Sequence, residues 1–149
     1  MSTTPRDEAT VEEAAFPQPD PNEAGRPFWQ ALRDGALTFQ RCSACGKGWL
    51  PARSHCPGCL CPDWTREQAS GRARLVSWVV YLMAYHPAFA SRLPYTVAVV
   101  ELEEGPRMIS NIVRADPQTL CIDQPLSLVI EDESGTAVPR FVPATGQGA

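Results

Sequence analysis

The spacing of apolar and polar positions changes character twice along this chain. Residues 1–24 show no sustained period. A short helical signal follows: Pro27 suits a first turn, Phe28 and Leu32 stand four apart, Trp29 and Leu32 three apart, and Gly35 ends the run. A helix this short persists only when packed on something, so residues 25–36 are read as a docking helix. Its contact rings are Phe28 and Trp29, which cover either the chain's own core or a partner. Residues 37–41 read as a strand entering a cysteine-bearing loop, with 48–50 as its return. Beyond Gly71 the texture is β, with β-branched and aromatic side chains concentrated in 72–85, 95–102, 107–113, 126–131 and 137–142. Glu104-Gly105-Pro106 and Ser134-Gly135 supply tight turns, and 114–125 is a longer link with room for one helical turn.

Five strands, the first long enough to bend and serve two neighbours, suit a small closed barrel, and the five-stranded OB-fold fits best. Pro139 inside the last run argues that this strand lies at an edge. The predicted fold class is therefore mainly β. It comprises a short N-terminal helix, a rubredoxin-like zinc ribbon over 37–68 and an OB-fold barrel over 69–144. An acidic, disordered or loosely docked tail over 1–24 precedes them, and a flexible end over 145–149 follows.

Charge sharpens this division. The first 24 residues hold six acids and one base, while the other 125 hold 11 acids and 12 bases. The body is nearly neutral and has no global field for a polyanion, which weighs against general nucleic-acid binding. In the tail, Phe16 is the one residue suited to anchor on a partner. No apolar run approaches the roughly 18 residues of a membrane span. The N-terminus lacks the basic-then-apolar pattern of a signal peptide, so the chain reads as cytoplasmic. There, closely spaced cysteines bind metal more often than they form disulfides.

The strongest chemical signal is two Cys-x-x-Cys pairs, Cys42/Cys45 and Cys56/Cys59, separated by ten residues. Four soft thiolates so placed satisfy tetrahedral zinc and leave no position for substrate, so the metal is structural. Iron, as in a rubredoxin-like carrier, is the chemical alternative. Gly46 permits the tight turn that aims amide N–H groups at a sulfur, whereas Leu60 stands at the equivalent place after Cys59. Cys61 is an alternative fourth ligand in a strained site, but the two-residue spacer favours Cys59. His55 adjoins the second pair.

The remaining titratable groups offer no catalytic set. His86 is the only histidine outside the ribbon, and Cys61 and Cys121 have no activating neighbour in sequence. Arg72, Arg74, Arg107 and Arg140 fall on or beside predicted strands. At period two, Arg72 and Arg74 share a face, where a cationic patch would grip phosphates or a partner's carboxylates. A single-stranded nucleic-acid binder is the alternative reading, with Trp78, Tyr81 and Tyr85 as stacking residues. Trp78 and Tyr81 have opposite parity, and Lys47 is the only lysine.

The run from Pro27-Phe28-Trp29 through the two knuckles, Glu104-Gly105-Pro106-Arg107 and Pro139-x-Phe141-x-Pro143 resembles the zinc-ribbon/OB-fold acyl-CoA-associated proteins of bacteria and archaea. The likeness covers 26–144. It implies an accessory subunit beside a thiolase-superfamily enzyme: a thiolase, an acyltransferase or a lipid-transfer-protein-like retro-aldolase of steroid side-chain breakdown. It also implies a two-plus-two heterotetramer with acyl-CoA at or near the interface, where Arg72, Arg74 and Arg107 would lie beside the nucleotide end. No catalytic residue carries over. Two departures stand out: Leu60 in the second knuckle, and Cys121-Ile122-Asp123-Gln124-Pro125 where the family has a glycine before the fourth barrel strand.

Overall fold

A computed structural model describes residues 15–146. Residues 1–14 of the acidic tail and 147–149 of the C-terminal end lie outside the described residues.

Helix α1 (Arg26–Arg33) starts with Pro27 in its first turn, and the Gly35 and Ala36 amides close its C-terminal end by bonding back to Leu32 and Ala31. It buries Leu32 and rests on the first ribbon strand and the last barrel strand. The ribbon is a three-stranded antiparallel sheet in which β1 (Thr38–Cys42) is central, flanked by β2 (Gly48–Trp49) and β3 (Trp64–Gln68). Strand β3 was not expected from its polar sequence. Full pairing along β1 supplies its hydrogen bonds, Arg66 lies over the Trp64 ring, and Glu67 pairs with Arg41 across the sheet. Gly48 has no side chain because there is no space for one: a Cβ there would sit 2.9 Å from Cγ of Pro106 in the barrel. This close approach brings the ribbon's return strand against the Glu104-Gly105-Pro106 turn.

The barrel is closed, in the order β4-β5-β6-β8-β7, with β4 (Arg72–Tyr81), β5 (Tyr95–Leu102), β6 (Arg107–Ile112), β7 (Pro125–Glu133) and β8 (Thr136–Pro143). As expected, β4 bends: a register shift between Leu75 and Ser77 lets Arg72–Arg74 pair with β7 while the strand also follows β5. It ends at Tyr81 rather than 85, because β5 begins at Tyr95 and offers no partner beyond the Tyr81↔Tyr95 pair. The long link carries the expected single turn, Pro117–Thr119. In the Cys121–Pro125 segment Asp123 adopts φ 61, a left-handed conformation that a short polar side chain tolerates.

Pro139 is not on a free edge, since β8 pairs with β7 on one side and closes against β6 on the other. The closure is thin, however: β6 and β8 run parallel with one residue pair, Ile112↔Phe141. The Phe141 carbonyl accepts from Val113 N–H, so by alternation Pro139 also faces β6, and its missing N–H costs nothing against β7. The hydroxyl of Ser110 donates to the Pro139 carbonyl at 2.8 Å and helps seal this seam. Leu75, Val100, Leu102, Leu126 and Phe141 fill the core, which continues through Leu32, Leu37 and Phe39 towards the ribbon. A separate small cluster of Cys42, Trp49 and Cys56 lies at the metal end, with Cys61 and Trp64 packed on it.

Residues 15–24 cross the barrel instead of leaving it. Phe16 meets Phe89 edge to face, Arg92 lies over the Phe16 ring, and the Thr136 hydroxyl bonds to the Gln18 side chain. The anchor expected for a partner is thus spent on the chain's own surface.

Candidate metal centre and binding surfaces

The two knuckles repeat one backbone design. Cys42 N–H donates to the Lys47 carbonyl and Gly46 N–H to the Cys42 carbonyl; Cys56 N–H donates to the Cys61 carbonyl and Leu60 N–H to the Cys56 carbonyl. Gly46 has φ 75 and Leu60 φ 64, so the leucine takes the glycine's conformation and the metal loop keeps its shape. The Leu60 side chain points outward, 73% exposed.

All four sulfurs of Cys42, Cys45, Cys56 and Cys59 lie within 4.8 Å of one another, with Cys42 to Cys59 at 3.5 Å and Cys45 to Cys56 at 3.6 Å. Tetrahedral zinc with bonds of about 2.3 Å needs sulfurs about 3.8 Å apart, so the set fits the ion. Cys61 is not part of it. Its sulfur is engaged by Asp63, whose N–H approaches at 3.4 Å.

The electrostatics suit thiolates that share a cation. The Cys45 N–H, then the Ala44 N–H against opposing burial, bring Cys42 down to about 6. Cys56 is also lowered: burial opposes this, but the Cys59 and Gly58 amides and the neighbouring thiols outweigh it. For Cys59 the Cys61 N–H pulls down, but the adjoining sulfurs and burial win and push it up to about 12. Four crowded sulfurs cannot all ionise by themselves. Zinc supplies the charge that lets them, and with four protein ligands it leaves no position for substrate.

The arginine patch expected on β4 is neutralised. Arg72 Nε donates to Glu103 at 2.8 Å, Arg74 Nη2 to Glu101 at 2.7 Å, and Arg107 Nε to Glu101 at 2.7 Å, while Arg74 also pairs with Asp123. Hydrogen bonding from Arg107, then Arg74, holds Glu101 below the usual carboxylate range, and Arg72 does the same for Glu103. Strand parity showed which bases share a face but not which acids stand opposite them. The expected grip on a phosphate is therefore not available as a free cationic surface.

The comparisons with known proteins follow this architecture. Residues 29–64 match the family model described as the ChsH2 rubredoxin-like zinc ribbon domain, and 66–131 match the ChsH2 C-terminal OB-fold domain. A DUF35 domain-containing scaffold protein of Methanothermobacter thermautotrophicus is 37% identical over 94 residues, spanning 62% of this chain and 70% of that protein. The chain belongs to the ChsH2/DUF35 family. A probable enoyl-CoA hydratase alpha subunit of Thermomonospora curvata is 35% identical over 90% of this chain, and the match spans 42% of that longer protein. Among solved structures, a chain of the Ltp2-ChsH2(DUF35) aldolase superposes with a TM-score of 0.76 at 33% identity, over 86% of this chain and 100% of that one. A DUF35 protein of unknown function from Sulfolobus solfataricus shares the fold, with a TM-score of 0.60 at 16% identity.

As a ChsH2/DUF35 protein, the chain carries a zinc ribbon and an OB-fold. Trp78, one of the rings considered for base stacking, packs against the core. Phe28 and Trp29 sit edge to face with ring centroids 5.4 Å apart, half-buried against that same core, so only their outer edges are free. Sequence reasoning missed a run of exposed apolar side chains at the end of β4 and beyond it. From Leu75 to Ser91 the chain has no Asp, Glu, Lys or Arg, and Val79, Val80, Leu82, Met83 and Tyr85 within that stretch are exposed, Leu82 and Tyr85 by 78% and 79%. The missing charges were the readable signal. His55 stays exposed beside Ser54, and His86 caps the Pro87–Arg92 turn by accepting from Ala88 N–H, so neither is a ligand or a base. No helix among the described residues is long and apolar enough to cross a membrane.

Proposed function

We propose that this chain is the zinc-stabilised, non-catalytic subunit of a heteromeric enzyme. Its larger subunit, of the thiolase superfamily, makes or breaks a carbon–carbon bond in a CoA thioester. The observation that carries this is the match, over 86% of this chain and 100% of the other, to a chain of the Ltp2-ChsH2(DUF35) aldolase. The similarity to a protein named as an enoyl-CoA hydratase subunit supports a CoA thioester as the substrate class. The physical properties agree: the closed zinc sphere leaves the ribbon without an open coordination site, and the uncharged exposed run from Val79 to Tyr85 suits an obligate interface. Such an interface needs roughly 2,000 Å² or more, which the outer edges of Phe28 and Trp29 help to supply. The assembly is two-plus-two, in the cytoplasm, with the acyl chain and its chemistry held by the partner.

Co-expression with a thiolase-superfamily protein from the same organism tests this. The expected result is co-purification in equal amounts, with activity that requires both chains. Leu82→Asp combined with Met83→Asp should break the complex while zinc content stays unchanged. If the two proteins separate and the larger one is fully active alone, the proposal fails.

A further inference from the structure

A second arginine cluster, on and around the β7–β8 hairpin, has more cations than paired acids among the described residues. Arg140 Nη1 donates to Glu131 at 2.6 Å and Arg140 Nη2 to Glu133 at 2.7 Å; Arg92 pairs with Glu133, and Arg114 with Glu131 at 2.6 Å. Three guanidiniums thus share two carboxylates, an excess of one positive charge. Asp116 accepts from Gln118 N–H and Asp132 from Gly135 N–H, and neither pairs with these arginines. The cluster is also short of acceptors: each guanidinium carries five N–H donors, and the buried Nε of Arg140 has no partner.

These arginines line a cleft of about 310 Å³, whose walls include Phe89, Tyr95 and Asn111. That volume is at the lower end of small-molecule sites. The cleft lies where OB-folds hold ligands, between the second and third barrel strands and under the loop joining the first two. One wall belongs to a continuous run of rings: Tyr85 meets Tyr81, Tyr81 meets Tyr95, Tyr95 meets Phe89 and Phe89 meets Phe16, with centroid separations of 5.9, 5.1, 5.7 and 5.2 Å. Arg92 caps the last ring at 4.4 Å, so the crossing N-terminal segment holds both the wall and the cation in place.

The geometry points to a nucleoside phosphate site. A flat base would lie against Phe89 and Tyr95, and its phosphate would take the surplus donors of Arg92 and Arg114. The site stands independently of the partner reading. Failure to bind a nucleotide would leave co-purification intact, and the reverse also holds.

The test titrates the zinc-loaded full chain with AMP, adenosine and inorganic phosphate, followed by amide shifts in proton–nitrogen spectra. Saturable shifts at Thr96, Asn111 and Arg114 are expected with AMP, tighter by about ten-fold than with either half alone. Arg114→Gln, a substitution at an exposed residue, should weaken AMP by about five-fold, and Arg72→Gln should leave it unchanged. The proposal is overturned if AMP gives no saturable shift or if the shifts follow Arg72. It is equally overturned if phosphate alone binds as well as AMP, or if Arg114→Gln has no effect.

Discussion

Leu60 holds a left-handed backbone that Gly46, its counterpart in the first knuckle, holds without a Cβ in the way. For a residue with a side chain this conformation costs about 1–2 kcal/mol. Leu60→Gly removes that cost but adds freedom to the unfolded chain, so a net gain of about 0.5–1 kcal/mol is expected in denaturant unfolding of the zinc-loaded protein. Gly46→Leu, the reverse exchange at the equivalent position, should lose about 0.5–1 kcal/mol in the same measurement. Because Cys59 lies among the four sulfurs and Cys61 is bonded to Asp63, Cys59→Ser should lose stoichiometric zinc and Cys61→Ser should retain it, read by metal analysis after dialysis. The metal set was legible because ligand spacing is local in sequence. The Arg72 and Arg74 partners were not, because Glu101 and Glu103 reach them only through the β4–β5 register.

Burial decides which ion pairs of the β7–β8 hairpin matter. Arg140 and Glu133 are each 12% exposed, whereas Arg114 is 63% exposed. Removing Arg140 takes the most buried cation from two carboxylates that keep only the more exposed Arg92 and Arg114, so Arg140→Ala should cost about 1–3 kcal/mol. Arg114→Ala should cost under about 1 kcal/mol, since exposed pairs contribute little. Burial pushes the Glu133 carboxyl up, but hydrogen bonds from Arg140 and Arg92 outweigh it and hold the group below its usual range. A depressed carboxylate stabilises fully above its unfolded value, about 4.3, and that contribution is lost as pH falls through the lower folded value. Acid unfolding of the wild type should therefore set in below about pH 4, and Arg140→Ala should move it to higher pH. The alternating strands of this region were readable, but β3 was not: Thr65-Arg66-Glu67-Gln68 is strand only because β1 pairs with all of it. Pro139 likewise signalled a weak side of its strand without showing that a parallel neighbour closes it.

The molecule has two apolar clusters of unequal size, and only the smaller one holds metal ligands. Structural zinc in such modules is worth about 10–16 kcal/mol near neutral pH, and here that energy is concentrated at the knuckles. A chelator should therefore change the fluorescence of Trp49 and Trp64 and open the amides of Cys42 and Cys56. The barrel's β signal in circular dichroism should persist. Simultaneous loss of both would mean that the larger core depends on the metal. The seam between β6 and β8 bears on how the barrel comes together. The meander β4-β5-β6 and the hairpin β7-β8 are each joined by neighbours in sequence and meet again where β4 pairs with β7, whereas β6 and β8 are united by one residue pair, the Val113-to-Phe141 backbone bond and a hydroxyl bond. Local units form early and long-range closure comes late. The closure is therefore the last step of assembly, and Ser110→Ala is expected to hasten unfolding in stopped-flow traces while leaving refolding at the wild-type rate.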